Sequence, residues 1–510
     1  MTAVEPKAYT ITVHNPADGS VVGSVPIDDS DAVAAKAREL RLFQQEWEAI
    51  GGRGRKKWML KWQDWILDNA DHLTEVLMSE TGKSRIDAAL EPVGVADAIK
   101  YWASHAEEFL AEKHPKAHSP LFKVKKLTTL YRPYPVVGII EPWNFPLAML
   151  GLDVVPALAA GAAVLLKPSE VTPLSAVEFV RGWNEVGAPP VLALATGYGA
   201  TGAAVIANSD YVHFTGSTAT GKKVAVACAE RLIPFSLELG GKDPAIVLAD
   251  VDVDRAANGI AWGGMFNAGQ VCISVERVYV EAPIYDEFVA KLTANVNKIA
   301  QGSESGRDFT YNTGAMATEA QRDIVERHVN EAVAAGATVL TGGKPTGVGT
   351  FFHQPTVLAD VDSSMSCIAE ETFGPTLPVV KVADEEEAVR LANDSRYGLS
   401  ATVWTGDTAR GERIARRLEC GAVNINDALT NVFCPTLPMG GWKDSGMGYR
   451  SGGANGLIKF CRQQAITAPR IPTQKSELMW YSSSGRQAKF ALAAMRAFAA
   501  HGWRRLGRKG

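Results

Sequence analysis

Two apolar segments of strand length flank a helical segment between residues 136 and 167, and this arrangement constrains the fold more than any other part of the chain. Residues 136–140 and 163–166 are continuous apolar runs, a pattern typical of parallel strands covered on both faces. Residues 147–159 between them predict a buried helix that ends in a turn at Gly161. Parallel neighbours need a long crossover, usually a helix. The segment therefore predicts a β-α-β unit of a parallel sheet.

The same alternation continues along the chain. A strand at 211–214 leads into a helix through Lys222 to Arg231, and a strand at 245–248 leads into a helix at 254–266. A strand at 275–281 precedes a helix at 285–300, and a later series extends to about Asn424. We therefore expect an α/β fold with two lobes built on mainly parallel sheets.

Composition and charge exclude several classes of protein. Of the 510 residues, 46% are hydrophobic and 21% are charged, as in ordinary globular enzymes, and the net charge of -4 argues against a nucleic-acid partner. Six scattered cysteines without a C-x-x-C pair indicate neither a disulfide framework nor a zinc site, so a cytoplasmic location is expected. The first ten residues predict no secretory signal. The apolar region 145–166 is not a membrane span, because Pro146, Asp153 and Pro156 interrupt it.

A cysteine and a glutamate, each close to glycines, indicate a nucleophile and a base. Cys272 ends the segment NAGQVC (267–272), and Glu238 is followed by Gly240 and Gly241. Glycines permit close backbone approach and unusual φ/ψ values, while a thiol needs a special setting to react as thiolate near neutrality. Taken singly, such a cysteine is better explained as a small buried hydrophobe and such a glutamate as a solvated acid.

A third segment, PWNFP (142–146), supplies a family resemblance. Further matches are KPSE (167–170), FTGS (214–217), ETFGP (371–375) and PMGG (438–441). With these segments in order, the chain resembles the aldehyde dehydrogenase superfamily of the NAD(P)-dependent, hydrolytic type from about Thr10 to about Ala468. The resemblance implies two Rossmann-like α/β lobes plus a small oligomerisation β-element.

The domain boundaries follow from that resemblance. We expect a cofactor-binding domain at 1–112 and 132–240, a catalytic domain at 241–445, and an oligomerisation element at 113–131 and 446–473. In that element, a strand at 124–134 would pair with a strand at about 456–468. Residues 474–510 form a basic amphipathic tail.

The resemblance also assigns the chemistry. It implies that Cys272 attacks the aldehyde to form a thiohemiacetal, and that Asn144 and the Cys272 N–H hold the developing oxyanion. Hydride transfer then leaves a thioester, for which Glu238 activates water. A glutamate base at this position is not expected in the coenzyme A-acylating relatives, so it favours hydrolysis of the thioester. A coenzyme A-acylating or semialdehyde dehydrogenase of the same fold stays as the alternative. Standing alone, Asn144 is also explained as a helix cap.

The cofactor site is implied in the same way. Glu170 at the adenosine ribose favours NAD, whereas Lys167 leaves NADP open. Glu371 is expected at the nicotinamide ribose and Phe373 near the ring, although a solvated acid and a core aromatic are the plain alternatives. The complete set of cofactor-binding candidates is Trp143, Lys167, Ser169, Glu170, Gly216, Ser217, Gly221, Leu239, Glu371 and Phe373.

Two nucleotide-binding patterns point elsewhere. Residues 197–202 match G-x-G-x-x-G but lack an acidic residue about twenty positions later. Residues 216–223 match G-x-x-x-x-G-K, but Lys223 stands where a magnesium-binding Ser or Thr belongs. A P-loop nucleotidase and a non-catalytic structural protein stay as alternatives of another class. The nine histidines are spread singly, so we expect no cluster of carboxylate and histidine ligands and no catalytic metal. The missing G-x-S-x-G disfavours a serine hydrolase.

Substrate, partners and location are less well defined by the sequence. Trp143, Phe266 and Phe433 are candidates for lining an apolar tunnel, which suits a medium or long aliphatic or aromatic aldehyde. The family resemblance implies a homodimer or homotetramer. Residues 474–510 carry eight Lys or Arg and one Glu, so this tail has a charge of +7 against -11 for the remainder. It predicts either peripheral contact with an anionic membrane or packing on its own subunit.

Overall fold

The computed structural model describes residues 9–501 apart from residues 305, 348–349, 474, 476, 478–479 and 482–483. Its helices are α1 (Ser30–Ala49), α2 (Gly51–Asp68), α3 (Ala70–Thr81), α4 (Arg85–Phe109), α5 (Ala148–Ala160), α6 (Leu174–Glu185), α7 (Gly199–Asn208), α8 (Thr218–Glu230), α9 (Val253–Met265), α10 (Tyr285–Val296), α11 (Glu319–Ala334), α12 (Ser366–Ala369), α13 (Glu385–Asn393), α14 (Thr408–Ala415), α15 (Ala454–Ile458) and α16 (Gly485–Ala499). Its strands are β1 (Thr10–His14), β2 (Val21–Pro26), β3 (Lys125–Pro133), β4 (Val136–Ile140), β5 (Ala163–Lys167), β6 (Leu192–Leu194), β7 (Tyr211–Thr215), β8 (Phe235–Glu238), β9 (Asp243–Val247), β10 (Val275–Glu281), β11 (Thr338–Thr341), β12 (Thr356–Ala359), β13 (Thr376–Val382), β14 (Tyr397–Gly398), β15 (Ser400–Trp404), β16 (Ala422–Ile425), β17 (Pro438–Met439), β18 (Trp442–Lys443), β19 (Gly446–Met447), β20 (Arg450–Ser451) and β21 (Cys461–Pro469).

A six-stranded sheet contains the predicted β-α-β unit. Its strand order is β19-β8-β7-β4-β5-β6, and all neighbours are parallel except β19, which runs antiparallel to β8 at one edge. β4, β5 and β7 are buried at every residue, because helices cover both faces of a parallel sheet. α5 makes the crossover and ends at Gly161, whose φ of 98° suits a residue without a Cβ. The unit predicted at 136–167 is confirmed.

A seven-stranded sheet forms the second lobe. Its order is β11-β12-β13-β10-β9-β15-β16, with only the edge strand β11 antiparallel to its neighbour. α9 and α10 pack on this sheet through a core that includes Ile260, Phe288 and Leu292. The prediction of two Rossmann-like α/β lobes is therefore confirmed.

The strand order of the first sheet reverses at β4. The chain passes from β4 to β5 and β6 on one side and returns to β7 and β8 on the other. In doubly wound sheets, ligands bind in the crevice at the carboxyl ends of the strands where the order reverses. A ligand-binding site is therefore expected in this crevice.

The chain divides into two compact units, the described residues of 1–107 with 133–460 and those of 108–132 with 461–510. The second contains the ribbon of β3 and β21, as expected for 124–134, and helix α16. The partner strand begins at Cys461 and not at 456, since Ala454–Ile458 is helical. The division into cofactor-binding, catalytic and oligomerisation domains stays a prediction. None of the described helices has the length and apolar character needed to cross a membrane.

Candidate active site

The predicted residues of the first lobe lie at the carboxyl ends of four neighbouring strands. Trp143 and Asn144 follow β4, Lys167 ends β5, Gly216 follows β7 and Glu238 ends β8. The predicted residues of the second lobe, Cys272, Glu371 and Phe373, precede β10 and β13, at the amino ends of those strands. The structure therefore gathers the predicted site between the two sheets of the first unit.

The segment before Cys272 makes an unusual turn. Asn267, Ala268 and Gly269 have φ values of 52°, 55° and 71° in succession, a left-handed run that costs a non-glycine residue about 1 kcal/mol or more. A Cβ on Gly269 would lie 2.1 Å from the carbonyl oxygen of Gly374, so the glycine is needed for both space and conformation. The Gln270 side chain supports the turn, donating to the Asn267 carbonyl at 3.1 Å. The turn delivers Cys272 to the start of β10.

Hydrogen bonds tie the Asn144 segment to this turn. The Asn144 carboxamide Nδ2 donates to the Gln270 carbonyl at 2.9 Å, and Asn267 Nδ2 donates to the Asn144 carbonyl at 3.0 Å. One of the two Nδ2 hydrogens of Asn144 is thereby used within the protein. The other is available to an oxyanion, and the bond to Gln270 fixes the plane of the amide.

Glu238 lies in a contrasting environment. Its side chain is buried and neither carboxylate oxygen has a hydrogen-bond partner. Burial raises the pKa of Glu238 to about 7, against the opposing positive charges of Arg450 and Lys459. A carboxyl group with this pKa is poised to exchange a proton near neutral pH.

Cys272 is partly buried against the apolar core of the second lobe, which includes Phe145, Phe266 and Ile273. Burial raises the pKa of the Cys272 thiol to about 12, Arg450 opposes this, and the carboxylates of Asp243, Glu238 and Glu371 add to it. Cys272 and Glu238 are therefore within electrostatic range of one another. The thiol is protonated in this state and needs a base to react.

A buried charged cluster lies beside Glu238. Arg450 Nη2 donates to Asp153 Oδ2 at 2.7 Å and to Thr215 Oγ1 at 2.6 Å, and Thr215 is the cross-strand neighbour of Glu238. Asp153, His213 and Glu141 approach closely enough to share an ion, so the expectation of no carboxylate-histidine cluster is wrong. The Arg450 guanidinium supplies the positive charge within the cluster, and we assign no metal there. Burial raises the pKa of Glu141 well above its usual value and lowers that of His213 to about 4.

The turn between β7 and α8 fits a pyrophosphate. Ser217 is the N-cap of α8, and its Oγ accepts from the Thr220 N–H. The first N–H groups of a helix have no partner within the helix and favour an anion. Packing is close beside it, since a Cβ on Gly221 would lie 2.5 Å from a terminal methyl carbon of Leu239. The Gly216 N–H donates to the Glu238 carbonyl at 3.1 Å. The arrangement suits the phosphates of a dinucleotide.

The residues expected at the nicotinamide end also converge. The rings of Trp143 and Phe373 meet edge to face with centroids 5.5 Å apart. Glu371 accepts a hydrogen bond from the Gly241 N–H at 2.9 Å, and a Cβ on Gly240 would lie 2.3 Å from the Glu371 carboxylate. Burial, followed by the charge of Glu276, raises the pKa of Glu371.

At the expected adenosine end, Lys167 is the last residue of β5, and Ser169 and Glu170 follow it. Lys167 Nζ donates to the Pro168 carbonyl at 2.9 Å and lies 3.5 Å from Glu170 Oε2. Burial lowers the pKa of Lys167. Glu170 is partly exposed, so its carboxylate is accessible to ribose hydroxyls.

The two misleading nucleotide patterns have ordinary structural explanations. Of residues 197–202, Gly197 has a φ of 153° just before the helix, and residues 199–202 are the first residues of α7. In the Walker-like segment, Lys222 forms an ion pair with Asp444 at 3.2 Å, so its ammonium is engaged with a carboxylate of its own chain.

Several residues of the site carry no sequence motif. They are Lys83, Asp87 and Glu91 behind Asn144, and Glu141, Asp153, His213 and Arg450 behind Glu238. One sequence signal existed: an acid inside the apolar segment 147–159 must be paired when buried, and Asp153 is. The partners come from distant segments, which spacing does not reveal.

Comparisons with known proteins agree with this geometry. A Mycobacterium ulcerans (strain Agy99) protein named “Putative succinate-semialdehyde dehydrogenase (NADP(+)) 2” is 39% identical over 466 residues, covering 91% of this chain and 89% of that protein. The 4,4'-diapolycopene aldehyde oxidase of Methylomonas sp is 37% identical over 483 residues, covering 93% and 89%. The crystal structure of a Mycobacterium tuberculosis aldehyde dehydrogenase complexed with NAD+ matches with a TM-score of 0.86 and 34% identity, covering 92% of this chain and 96% of that chain. The model of the aldehyde dehydrogenase family matches residues 3–466. The chain therefore belongs to the aldehyde dehydrogenase family and is an NAD(P)-dependent aldehyde dehydrogenase.

Proposed function

We propose that this enzyme oxidises an apolar medium or long-chain aldehyde, aliphatic or aromatic, to its carboxylic acid, with NAD preferred. The observation that carries the proposal is the convergence of the Cys272 thiol, the Glu238 carboxylate and the Asn144 segment on one buried site. A nucleophile, a base and an oxyanion donor are the parts that acyl chemistry on a cysteine requires.

The reaction begins with attack of Cys272 Sγ on the aldehyde carbon. Glu238 takes the thiol proton, because its pKa of about 7 allows it to be ionised while the thiol is not. The free Nδ2 hydrogen of Asn144 and the Cys272 N–H stabilise the oxyanion of the thiohemiacetal. Loss of one such donor typically costs about 3 to 4 kcal/mol of barrier.

Bound NAD supplies a hydride acceptor, and loss of hydride from the thiohemiacetal leaves a thioester on Cys272. Glu238 first releases the thiol proton to solvent, and its carboxylate then removes a proton from the water that attacks this thioester and returns that proton to the leaving thiolate. Hydrolysis regenerates the thiol and releases the acid. Ser217 and the α8 N-terminus would hold the pyrophosphate, with Glu170 and Glu371 at the two riboses.

The surroundings of Cys272 support an apolar substrate. Cys272 packs against an apolar core that includes Phe145, Phe266 and Ile273, and the rings of Phe145 and Phe266 stack with centroids 5.5 Å apart. An acidic semialdehyde would need a free cation in the pocket, whereas Arg450 is held by Asp153. The second candidate is a semialdehyde substrate, which is supported by the name of the mycobacterial relative. An apolar substrate is in keeping with that of the Methylomonas relative.

The proposal is tested with a panel of aldehydes of increasing chain length and with succinate semialdehyde, each with NAD and with NADP. We expect kcat/KM to rise with chain length and to be higher with NAD. A higher kcat/KM for succinate semialdehyde than for every apolar aldehyde would reverse the substrate assignment. An absolute requirement for coenzyme A would replace hydrolysis by acyl transfer.

We also propose that the enzyme is a homodimer or homotetramer. The ribbon of β3 and β21 has only two strands, β21 is exposed over most of its length, and isolated two-stranded ribbons are marginally stable. Strand addition from another subunit would complete it. Light scattering of the full chain should give two or four times the monomer mass, and a monomer at micromolar concentration would contradict this.

We further propose that the tail contacts anionic lipid. In α16, Phe490 and Leu492 are exposed together with Arg486, Lys489 and Arg496, the mixture typical of interfacial helices. The four basic residues beyond 501 lie outside the described part of the chain. Co-sedimentation with phosphatidylserine vesicles, but not with phosphatidylcholine vesicles, is expected for the full chain and should be lost on deletion of residues 474–510. Equal sedimentation of the full and shortened chains would contradict it.

A further inference from the structure

Behind the Asn144 segment lies a fully buried ion pair that the reaction chemistry does not use. Lys83 and Glu91 are 2.5 Å apart, and each side chain is about 2% exposed or less. Lys83 follows the left-handed Gly82 that ends α3, and Glu91 lies in α4. We propose that Lys83 and Glu91 are positioning residues that hold the Asn144 amide where the oxyanion forms. This inference rests on the role of Asn144 proposed above.

The Lys83 ammonium binds the backbone of Asn144 directly. Its Nζ donates to the Asn144 carbonyl at 2.9 Å as well as to Glu91, and it lies 4.3 Å from the centroid of the Phe145 ring. Its three N–H groups therefore have three partners, two of which belong to the oxyanion segment. Because Asn267 donates to the same carbonyl, the Asn144 peptide is held by one side chain from each side.

Glu91 fixes the other end of the segment. Its Oε2 accepts from the N–H groups of Leu147 and Ala148, at 3.0 and 2.9 Å, which are the first N–H groups of α5. A carboxylate at a helix N-terminus is favourable with the helix dipole. Lys83 and Glu91 together therefore bind both ends of segment 144–148, which connects β4 to α5.

α4 reaches the nucleophile turn as well. Asp87, one helical turn before Glu91, accepts from the Asn267 N–H at 3.2 Å. Residues at i and i+4 lie on one helix face, so a single face of α4 contacts both the segment bearing Asn144 and the turn before Cys272. This common support fixes the spacing between the amide and the nucleophile.

A role in stability alone explains the pair poorly. Burying two charges costs free energy that their attraction often only offsets, and apolar replacements are frequently as stable. Precise placement is a stronger reason, because a displacement of about 1 Å in a reacting group slows a reaction about 100-fold. The pair is therefore expected to affect the rate of the chemical step more than the binding of NAD.

The test compares Lys83→Met, Glu91→Gln and the double variant with the wild type in single-turnover NADH formation from octanal. We expect the rate to fall about 10- to 100-fold, while KM for octanal and the dissociation constant of NAD change less than threefold. Glu91→Gln is nearly isosteric and retains an acceptor for the α5 N–H groups. Lys83→Met leaves Glu91 buried without its cation. If that variant fails to fold for this reason, Glu91→Gln still provides the test.

The matched control is Glu80→Gln. Glu80 is also a buried acid of this helical layer, and it accepts from the N–H groups of Leu174 and Ser175 at the start of α6. We expect it to change the melting temperature by a similar amount but the single-turnover rate less than threefold. An equal loss of rate in Glu80→Gln would overturn the positioning role.

The same substitutions are also made in an Asn144→Ala background, which gives a double-mutant cycle. If Lys83 and Glu91 act through Asn144, their substitution there changes the rate less than threefold further, since coupled residues are not additive. The full 10- to 100-fold loss in that background would overturn the inference while leaving Asn144 in its role. A wild-type rate in Asn144→Ala itself would instead remove the oxyanion role, and the inference with it.

Discussion

One half of the site consists of Asn144 and its supports Lys83, Glu91 and Asn267, and the other of Glu238 and its neighbours Arg450 and Lys459. The two halves hold their key residues in opposite ways. Asn144 is fixed by hydrogen bonds at both ends: its carbonyl accepts from Lys83 and Asn267, and its carboxamide donates to Gln270. The Glu238 carboxylate, equally buried, has no hydrogen-bond partner for either oxygen. The positive charges of Arg450 and Lys459 favour its ionised form through space and so oppose the rise of its pKa, and the Arg450 backbone N–H makes a smaller contribution of the same sign.

This difference matches the work proposed for each group. An oxyanion donor stabilises charge best when it does not have to reorganise, so it should be rigid. A base that serves a thiol first and a water molecule later must reach two protons at different positions. A carboxylate without local partners has that freedom, at the expense of stability.

Replacement of Glu238 should produce the largest effect. In Glu238→Gln we expect steady-state kcat to fall about 100- to 10,000-fold, since both proton transfers lose their base. A slowed first turnover of NADH should remain, because the thioester forms once and then accumulates on Cys272. Rapid-mixing measurements of NADH separate the two phases. An unchanged steady-state rate would show that Glu238 is not the base.

Replacement of Asn144 should come next. Asn144→Ala removes a side-chain donor from the oxyanion and is expected to slow single-turnover NADH formation about 100- to 1,000-fold. Dissociation of NAD, measured by fluorescence titration, should change little. Asn144→Asp, of similar size but without an N–H donor, serves as the control for packing. A rate close to wild type in either variant would place the oxyanion elsewhere.

Most of the fold could be predicted from the sequence because its signals are local. The apolar runs 136–140 and 163–166, and the helix between them, depend on residue type and spacing over a few turns. The end of the chain was harder to predict, since the short helix Ala454–Ile458 replaced the first part of the expected strand. A five-residue helix has too little periodicity to be distinguished from a strand.

The candidate site divides in the same way. Asn144, Glu238 and Cys272 stand in recognisable segments, so sequence placed them together as a hypothesis and the structure gathers them. Lys83 and Arg450 lie in no such pattern. Their partners, Asn144 and Asp153, are far away in sequence, and a buried ion pair depends only on three-dimensional proximity. Supporting residues of this kind are therefore found only from the structure.

The pH dependence should reveal the ionisation of Glu238. Because burial raises its pKa to about 7, activity should fall about tenfold per pH unit below that value and level off above it. Asp153, Lys459 and Cys272 also interact with this group, and the positive charge of Arg450 lowers its pKa. Arg450→Met should therefore move the acidic limb of the pH–activity profile to higher pH.

Arg450→Lys is the control for that shift, since it keeps the positive charge beside Asp153. We expect its pH limb to stay within half a unit of the wild type, even if kcat falls. Initial rates between pH 5 and 9 with saturating aldehyde and NAD measure the limb. A limb that stays in place in Arg450→Met would show that the cation does not act on Glu238.

The smallest effect should be on stability, and it should have opposite signs in the two halves of the site. A pKa raised from 4.5 to about 7 means that the folded protein prefers the protonated carboxyl. The contribution of this carboxyl to the free energy of unfolding is therefore fully present below pH 4.5 and is lost as the pH rises through 7. The loss is about 3 kcal/mol.

Glu238→Gln avoids this loss, since the amide carries no charge, although it leaves a buried polar group unpaired. Its melting temperature should exceed that of the wild type at pH 8 and equal or fall below it at pH 5. Asn144→Ala removes a satisfied hydrogen bond and should lower the melting temperature at both values. Scanning calorimetry at the two pH values measures all four shifts. If Glu238→Gln lowers the melting temperature at pH 8 as much as Asn144→Ala does, then the Glu238 carboxylate is held by partners after all, and the two halves of the site are alike.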